Sequence, residues 1–130
     1  MVKQTWITLG GIFAFLAVAF GAFGAHGLET RLTSQMLEVY KTGAYYQMVH
    51  ALGLIFIGQR VELHPRSRLL QISGALLALG ILLFSGSLYI LAISGERRWG
   101  MVTPLGGLCF LVGWALFVAA EIAVRRSRDK

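Results

Sequence analysis

Four long apolar stretches dominate the pattern of hydrophobic and polar positions along this chain. They cover Thr5–Ala25, Thr42–Gln59, Leu69–Ile93 and Met101–Ala120. Each is about 17 to 25 residues long, and at 1.5 Å per helical residue that length crosses a hydrocarbon core of roughly 30 Å. Because every backbone polar group inside a bilayer must be paired within the protein, stretches of this kind form helices. The pattern predicts an all-α membrane protein, folded as an antiparallel four-transmembrane-helix bundle.

The predicted bundle is a single domain over residues 1–130, with helices at about 5–25, 42–59, 69–93 and 101–122. Between the first two helices, Leu28, Leu32, Met36 and Val39 fall on one helical face. This predicts a short amphipathic segment capped by Thr33 that runs into the second helix. Similarly, Thr103 and Pro104 suit the cap and first position of the last helix.

The basic residues determine the predicted orientation. The net charge is +6, but the Lys and Arg residues lie in loops and tails, which favours topology and lipid anchoring over a nucleic-acid surface. Eight of the twelve belong to the tails and the second loop: Lys3, Arg60, Arg66, Arg68, Arg125, Arg126, Arg128 and Lys130. The other four, Arg31, Lys41, Arg97 and Arg98, lie on the opposite side. The positive-inside rule therefore predicts that both termini are cytoplasmic.

Helix one carries small residues at spacings of three and four, namely Gly10, Ala14, Ala17, Gly21, Gly24 and Ala25. Such a stripe allows a neighbouring backbone to approach closely. We therefore expect a large side chain at Gly21 to disrupt packing, whereas Phe13 is expected nearer the lipid. At the other end of the bundle, Glu121 and Arg125 are spaced as an exposed i,i+4 ion pair.

Polar side chains inside membrane helices are candidates for function because burying them in lipid is costly. The candidates lie towards the outer side, and together they form a predicted polar cluster of His26, Tyr46, Gln47, His50, Ser85, Ser87 and Tyr89. Tyr46 and Tyr89 are predicted roughly 6 Å deep, and His50 and Ser85 roughly 12 Å deep. We expect His50 to bond with Tyr46, Tyr89 or Ser85, and to be uncharged because no acidic residue lies nearby.

Three interpretations of this polar cluster remain open. The residues could hydrogen-bond one another and fix helix register, they could form a ligand pocket that opens outward, or they could bind a cofactor. Haem is disfavoured because His26 and His50 differ by roughly 12 Å in depth. A zinc site is disfavoured because the sequence places no third ligand nearby. A hydrolase is disfavoured because a Ser–His pair would have no acidic residue to orient the histidine. We therefore predict no catalytic residue, no metal and no cofactor.

Several motifs occur in a fixed order along the chain: Gly21-Ala-Phe-Gly-Ala-His-Gly-Leu28, Tyr40 to Leu52, Phe84-Ser-Gly-Ser-Leu-Tyr89, and Thr103-Pro-Leu-Gly-Gly107. Over nearly its whole length the sequence resembles the small four-span bacterial inner-membrane proteins known as "domain of unknown function 423". The resemblance implies four spans and a plasma-membrane location, but no activity, catalytic residue or cofactor.

The function that these observations favour is a non-enzymatic integral membrane protein with an accessory, structural or partner-binding role. Its expected partners are the bilayer and either another membrane protein or further copies of itself, with no nucleic acid. The alternative is a small-solute or proton-coupled carrier. A carrier needs polar groups through the whole membrane, but the inner half of the predicted bundle is mostly Leu, Ile, Phe and Gly.

Overall fold

The computed structural model describes residues 2–130, with side chains from Thr5 onward. Over these residues the chain is helical and contains no strand. Its α-helices are α1 (Val2–Phe23), α2 (Ser34–Leu63), α3 (Arg68–Gly80), α4 (Gly86–Ser94) and α5 (Thr103–Arg128). A π-helical turn, Gly24–Leu28, extends α1, and a second one, Ile81–Ser85, joins α3 to α4. A 3-10 turn, Arg97–Met101, precedes α5.

In the described part of the chain, three helical segments are long and apolar enough to cross a membrane: Thr5–Leu28, Arg68–Ser94 and Arg97–Arg128. The remaining long helix, α2, is not among them, although it has 30 residues. Its apolar character is diluted by polar side chains such as Gln47 and His50, both of which are buried. The predicted helical fold is therefore present, and three of the four predicted spans are helices apolar enough to cross a membrane, whereas α2 is more polar.

Helix α2 packs mainly against α1 and also against α3 and α4, while α3 packs mainly against α5. Side chains such as Phe56 and Phe117 join α2 to α5. Close helix contacts are made possible by glycines. A Cβ atom at Gly10 would lie 2.8 Å from the Ala51 carbonyl oxygen, and one at Gly58 would lie 2.9 Å from the Ile7 nitrogen. The half of the bundle towards the 64–67 turn has an apolar core. Its fully enclosed residues include Leu54, Ile57, Val61, Leu70 and Leu77.

The helix ends follow from local capping. Thr33 caps α2 as predicted, because its hydroxyl accepts a hydrogen bond from the Met36 nitrogen at 3.2 Å. The amphipathic segment is continuous with α2, so this helix begins eight residues before the predicted Thr42. Gly95 ends α4 with a positive φ of 73°, which glycine adopts without strain. The predicted cap at Thr103 is wrong: Val102 is the cap, and Thr103 is already helical.

The predicted packing face of α1 is correct at two glycines and wrong at a third. Gly24 lies against the Tyr40 ring and Gly10 against α2, but a Cβ atom at Gly21 would meet nothing within 4 Å. Phe13, expected nearer the lipid, is in the core with 9% of its surface exposed. The buried face of α1 is therefore centred closer to Phe13, and Gly21 lies at its edge.

Candidate functional site

The predicted polar cluster separates into several groups. His26 is exposed on the π-helical turn after α1 and forms no hydrogen bond with the other six residues within the described part of the chain. Gln47, His50, Ser85 and Ser87 are buried, whereas Tyr46 is partly exposed. The structure thus brings six of the seven residues into the upper bundle, here the half towards the Gly24–Leu28 turn, and leaves His26 outside the group.

Gln47 and Tyr89 form the central polar connection between α1, α2 and α4. The Tyr89 hydroxyl donates to Gln47 Oε1 at 2.7 Å, and Gln47 Nε2 donates to the Phe13 carbonyl oxygen at 2.9 Å. The Tyr89 ring also packs edge-on against Phe20 and tilted against Tyr40. Since both ends of the Gln47 amide are bonded, these two polar side chains join three helices.

The two serines also bond within the bundle. Ser85 lies in the π-helical turn, and its hydroxyl donates to the Gly43 carbonyl oxygen of α2 at 2.7 Å. The Ser87 hydroxyl is 2.6 Å from the Thr103 hydroxyl and 3.0 Å from the Phe84 carbonyl oxygen. Thr103 therefore connects α5 to α4. Neither serine hydroxyl forms a hydrogen bond with His50 in the described part of the chain. Ser85 and Ser87 therefore do not form a Ser–His pair of the hydrolase type.

His50 bonds to one of its three predicted partners, Tyr46, through the backbone carbonyl group of that residue. His50 Nδ1 is 2.7 Å from the backbone carbonyl oxygen of Tyr46, not bonded to Tyr89 or to the Ser85 hydroxyl. The imidazole stacks on Phe110 of α5, with centroids 3.5 Å apart and planes 10° apart. The rotation of α2 about its axis explains why His50 does not reach Tyr89 or Ser85. Gly43 and Gln47 face α4 and α1, whereas Tyr46 and His50 lie on the side of α2 that faces α5.

The hydrogen bond of His50 assigns roles to its two ring nitrogens. A carbonyl oxygen can only accept, so Nδ1 carries the hydrogen, and in the neutral ring Nε2 is an acceptor. No residue in the described part of the chain bonds Nε2, and this atom is not fully enclosed by protein. His50 therefore keeps one free acceptor, although only 5% of the residue is exposed.

A groove of about 510 Å³ lies beside His50. Its walls come from α2, the π-helical turn and the first half of α5. They are largely aromatic and apolar, and comprise Tyr46, His50, Phe84, Pro104, Gly107, Leu108, Phe110, Leu111 and Trp114. Leu108 and Leu111 form an outer rim and are 58% and 71% exposed. The groove therefore opens sideways, on the apolar surface of α5. Of its walls only Tyr46 and His50 were candidates from the sequence, because the other lining residues are ordinary core residue types.

An ion pair at the other end of the bundle was also missed. Glu121 was predicted to pair with Arg125, but the structure pairs it with Arg60 of α2 through two hydrogen bonds of 2.8 and 2.7 Å. Both side chains are partly buried, at 19% and 31% exposure. Distances between α2 and α5 cannot be derived from residue spacing, so the prediction relied on the local i,i+4 pattern.

The described residues contain no set of metal ligands. Within that part of the chain, no group of three or more His, Cys, Asp or Glu side chains is close enough to hold a metal ion. The predictions of no metal and no cofactor stay predictions. The polar groups of the upper bundle are mostly bonded to each other or to backbone carbonyls. Two groove-lining residues are exceptions, because His50 Nε2 and the Tyr46 hydroxyl have no hydrogen-bond partner among the described residues.

Comparison with known proteins identifies relatives over nearly the whole chain. The profile of the family described as "Protein of unknown function (DUF423)" matches residues 20–107. The UPF0382 membrane protein YwdK of Bacillus subtilis is 43% identical over 119 residues, which cover 92% of this chain and 97% of that protein. The UPF0382 membrane protein SSP2132 of Staphylococcus saprophyticus is 46% identical, over 93% of this chain and 99% of that protein.

A further relative is the UPF0382 inner membrane protein YgdD of Escherichia coli, 40% identical over 97% of this chain and 95% of that protein. No solved structure matches the chain significantly. The family profile covers well over half of the sequence, and these relatives are aligned over almost their full lengths. The chain is therefore an integral membrane protein that belongs to the DUF423 family, whose function is unknown.

Proposed function

We propose that this chain is a non-enzymatic protein of the bacterial inner membrane that acts as an accessory or partner-binding subunit through its lipid-facing surface. In this proposal α2 is a fourth span, and both termini are cytoplasmic because of the distribution of Lys and Arg. The inner-membrane location is carried over from the relative in Escherichia coli, whose name states it.

The observation that carries the proposal is the internal use of the polar side chains. The hydroxyls of Ser85, Ser87 and Tyr89 and the amide of Gln47 all bond within the bundle. Catalysis by nucleophiles or by acids and bases needs such groups directed towards a substrate site. Groups that are already paired with neighbouring helices instead support a role in holding the bundle together.

A carrier is less well supported by the same contacts. Transport requires a polar path or a site that is exposed to each side in turn. In the half of the bundle towards the 64–67 turn, Leu54, Ile57, Leu70 and Leu77 are fully enclosed and apolar. Opening that region would expose a large apolar core, so the enclosed packing favours a stable bundle over alternating access.

Photocrosslinking in native membranes tests the accessory role. A photoreactive amino acid is placed at Phe15 on α1 or at Val118 on α5, whose side chains are 73% and 55% exposed. We expect one of the two positions to yield a discrete polypeptide adduct, either another protein or a second copy of the chain. The matched control is Leu54, which is fully buried and should give no adduct with another chain.

The contrary result is also measurable. Proton flux into proteoliposomes that contain the purified protein is measured with an enclosed pH-sensitive dye. Flux that requires the protein and exceeds that of protein-free liposomes would favour the carrier and contradict an accessory role. Absence of a discrete adduct from both exposed positions would also contradict it.

A further inference from the structure

The lateral groove beside His50 combines a free hydrogen-bond acceptor with aromatic walls. His50 Nε2 has no partner within the described residues, and the groove is bounded by Tyr46, Phe84, Phe110 and Trp114. An acceptor that faces hydrocarbon without a donor is costly, because no water replaces the missing bond. A molecule that entered the groove and supplied one donor would therefore gain both a hydrogen bond and apolar contact.

The position of the groove limits what can supply that donor. His50 is eight residues along α2 from Thr42, or roughly 12 Å from the predicted membrane surface. A phospholipid headgroup remains at that surface, and its acyl chains carry no donor. The donor must therefore belong to a molecule whose body is apolar enough to lie among the chains.

The walls indicate the shape of this molecule. The rings of Tyr46 and Phe84 are 4.7 Å apart, and Phe110 lies under the imidazole at 3.5 Å. Aromatic surfaces favour planar rings, which they contact face to face with an offset or edge-on. We propose that the groove binds, from the bilayer, an apolar lipid with a planar hydroxylated ring, whose hydroxyl donates a hydrogen bond to His50 Nε2.

The size of the groove favours such a molecule over a partner helix. Its volume of about 510 Å³ is within the range of small-molecule sites. Along α5 it runs from Pro104 to Trp114, which is about 15 Å, or half of the hydrocarbon thickness. A packed transmembrane helix would need a contact face along most of its length. The rim residues Leu108 and Leu111 lie on the lipid side and give direct access from the bilayer.

This inference goes beyond the accessory role and is tested separately from it. Purified protein in lipid nanodiscs is labelled with a 4-alkylphenol that carries a diazirine in its alkyl tail. The control probe is the methyl ether of the same compound, which has the same ring and tail but cannot donate. Adducts are located by peptide mass spectrometry. We expect labelling at Leu108 and Leu111, with the phenol preferred by about tenfold, the factor for one net hydrogen bond.

Variants separate the two parts of the site. His50→Phe keeps a ring against Phe110 but removes the acceptor, so it should abolish the preference for the phenol. Gly107→Leu should fill the groove and lower labelling by both probes at least about fivefold, since a Cβ there meets only the Phe84 ring at 3.9 Å. Leu111→Trp blocks the mouth from a lipid-exposed position and should act in the same way if Gly107→Leu is unstable.

Gly11→Leu is the matched control on α1, where a Cβ atom meets nothing within 4 Å. It should leave labelling in the groove unchanged. Equal labelling of the natural protein by the two probes would overturn the proposal, and so would adducts spread evenly over the lipid-facing residues. An equal effect of Gly11→Leu and Gly107→Leu would do the same. The crosslinks at Phe15 and Val118 do not depend on these probes, so the accessory role stands or fails independently.

Discussion

Arg60 and Glu121 form a bidentate ion pair that joins α2 to α5. Arg60 Nε donates to one carboxylate oxygen at 2.8 Å, and Nη2 donates to the other at 2.7 Å. The parallel geometry makes this a strong form of charge-assisted contact. Because the two side chains are only 19% and 31% exposed, water only partly replaces a lost partner. The pair therefore holds together two helices that are distant in sequence.

We expect Glu121→Gln to lower the free energy of unfolding by about 1.5–3 kcal/mol, the range for a hydrogen bond to a charged group. The measurement is thermal or denaturant unfolding in detergent. Glu96→Gln is the control, because its pair with Arg98 is largely exposed and should contribute little. A double-mutant cycle with Arg60→Gln isolates the coupling. Additive effects of the two substitutions would contradict a direct interaction.

The Gln47–Tyr89 contact provides a second prediction. Tyr89→Phe removes the donor to Gln47 Oε1 and leaves this buried oxygen without a partner, at a cost of about 1–3 kcal/mol of unfolding free energy. Tyr45→Phe is the matched control, since Tyr45 is 67% exposed and its change should be close to neutral. The two melting temperatures are compared in the same detergent. Equal shifts would mean that the Tyr89 hydroxyl contributes no specific bond.

Depth along the membrane was easier to predict from the sequence than rotation about a helix axis. Residue counts placed the polar side chains of α2 and α4 in one half of the bundle, and Tyr89 does meet α2 there. Counts do not say which side of α2 faces which neighbour. His50 and Gln47 are three residues apart, and yet one contacts α5 and the other contacts α1 and α4.

The same limit explains the errors on α1 and α5. A stripe of small residues predicted the buried face of α1, but bulky Phe13 is in the core and Gly21 has open space beside it. Likewise, Glu121 has a near neighbour in sequence and a better one in space. The Thr33 cap was predicted correctly because its bonded atoms lie within one turn of the chain. The same kind of local pattern was wrong at Thr103, where α5 begins one residue earlier than the predicted cap allows.

Two adjacent glycines on α5 should respond in opposite ways to alanine. At Gly106 a Cβ atom would overlap the Phe84 backbone nitrogen and lie 2.8 Å from its Cα. At Gly107 the nearest atom belongs to the Phe84 ring and is 3.9 Å away. Because backbone cannot move aside cheaply, Gly106→Ala should destabilise the bundle by about 1–3 kcal/mol or more. Gly107→Ala should be neutral or slightly stabilising. Thermal unfolding of both variants measures the two changes in stability. Similar losses of stability would contradict the close approach of α5 to the π-helical turn.

The orientation of the bundle gives the last prediction. Eight Lys and Arg residues lie in the two tails and the 60–68 region, against four on the other side. This bias predicts cytoplasmic termini, because basic loops are retained on that side. A fluorescent reporter that folds only in the cytoplasm should be active when fused after Lys130, while alkaline phosphatase at the same place should be silent. Truncated fusions after Thr30, which contain only α1, should give the opposite result. Were the pattern at Lys130 reversed, the groove beside His50 would lie in the inner leaflet, and its lipid ligand would have to be sought there.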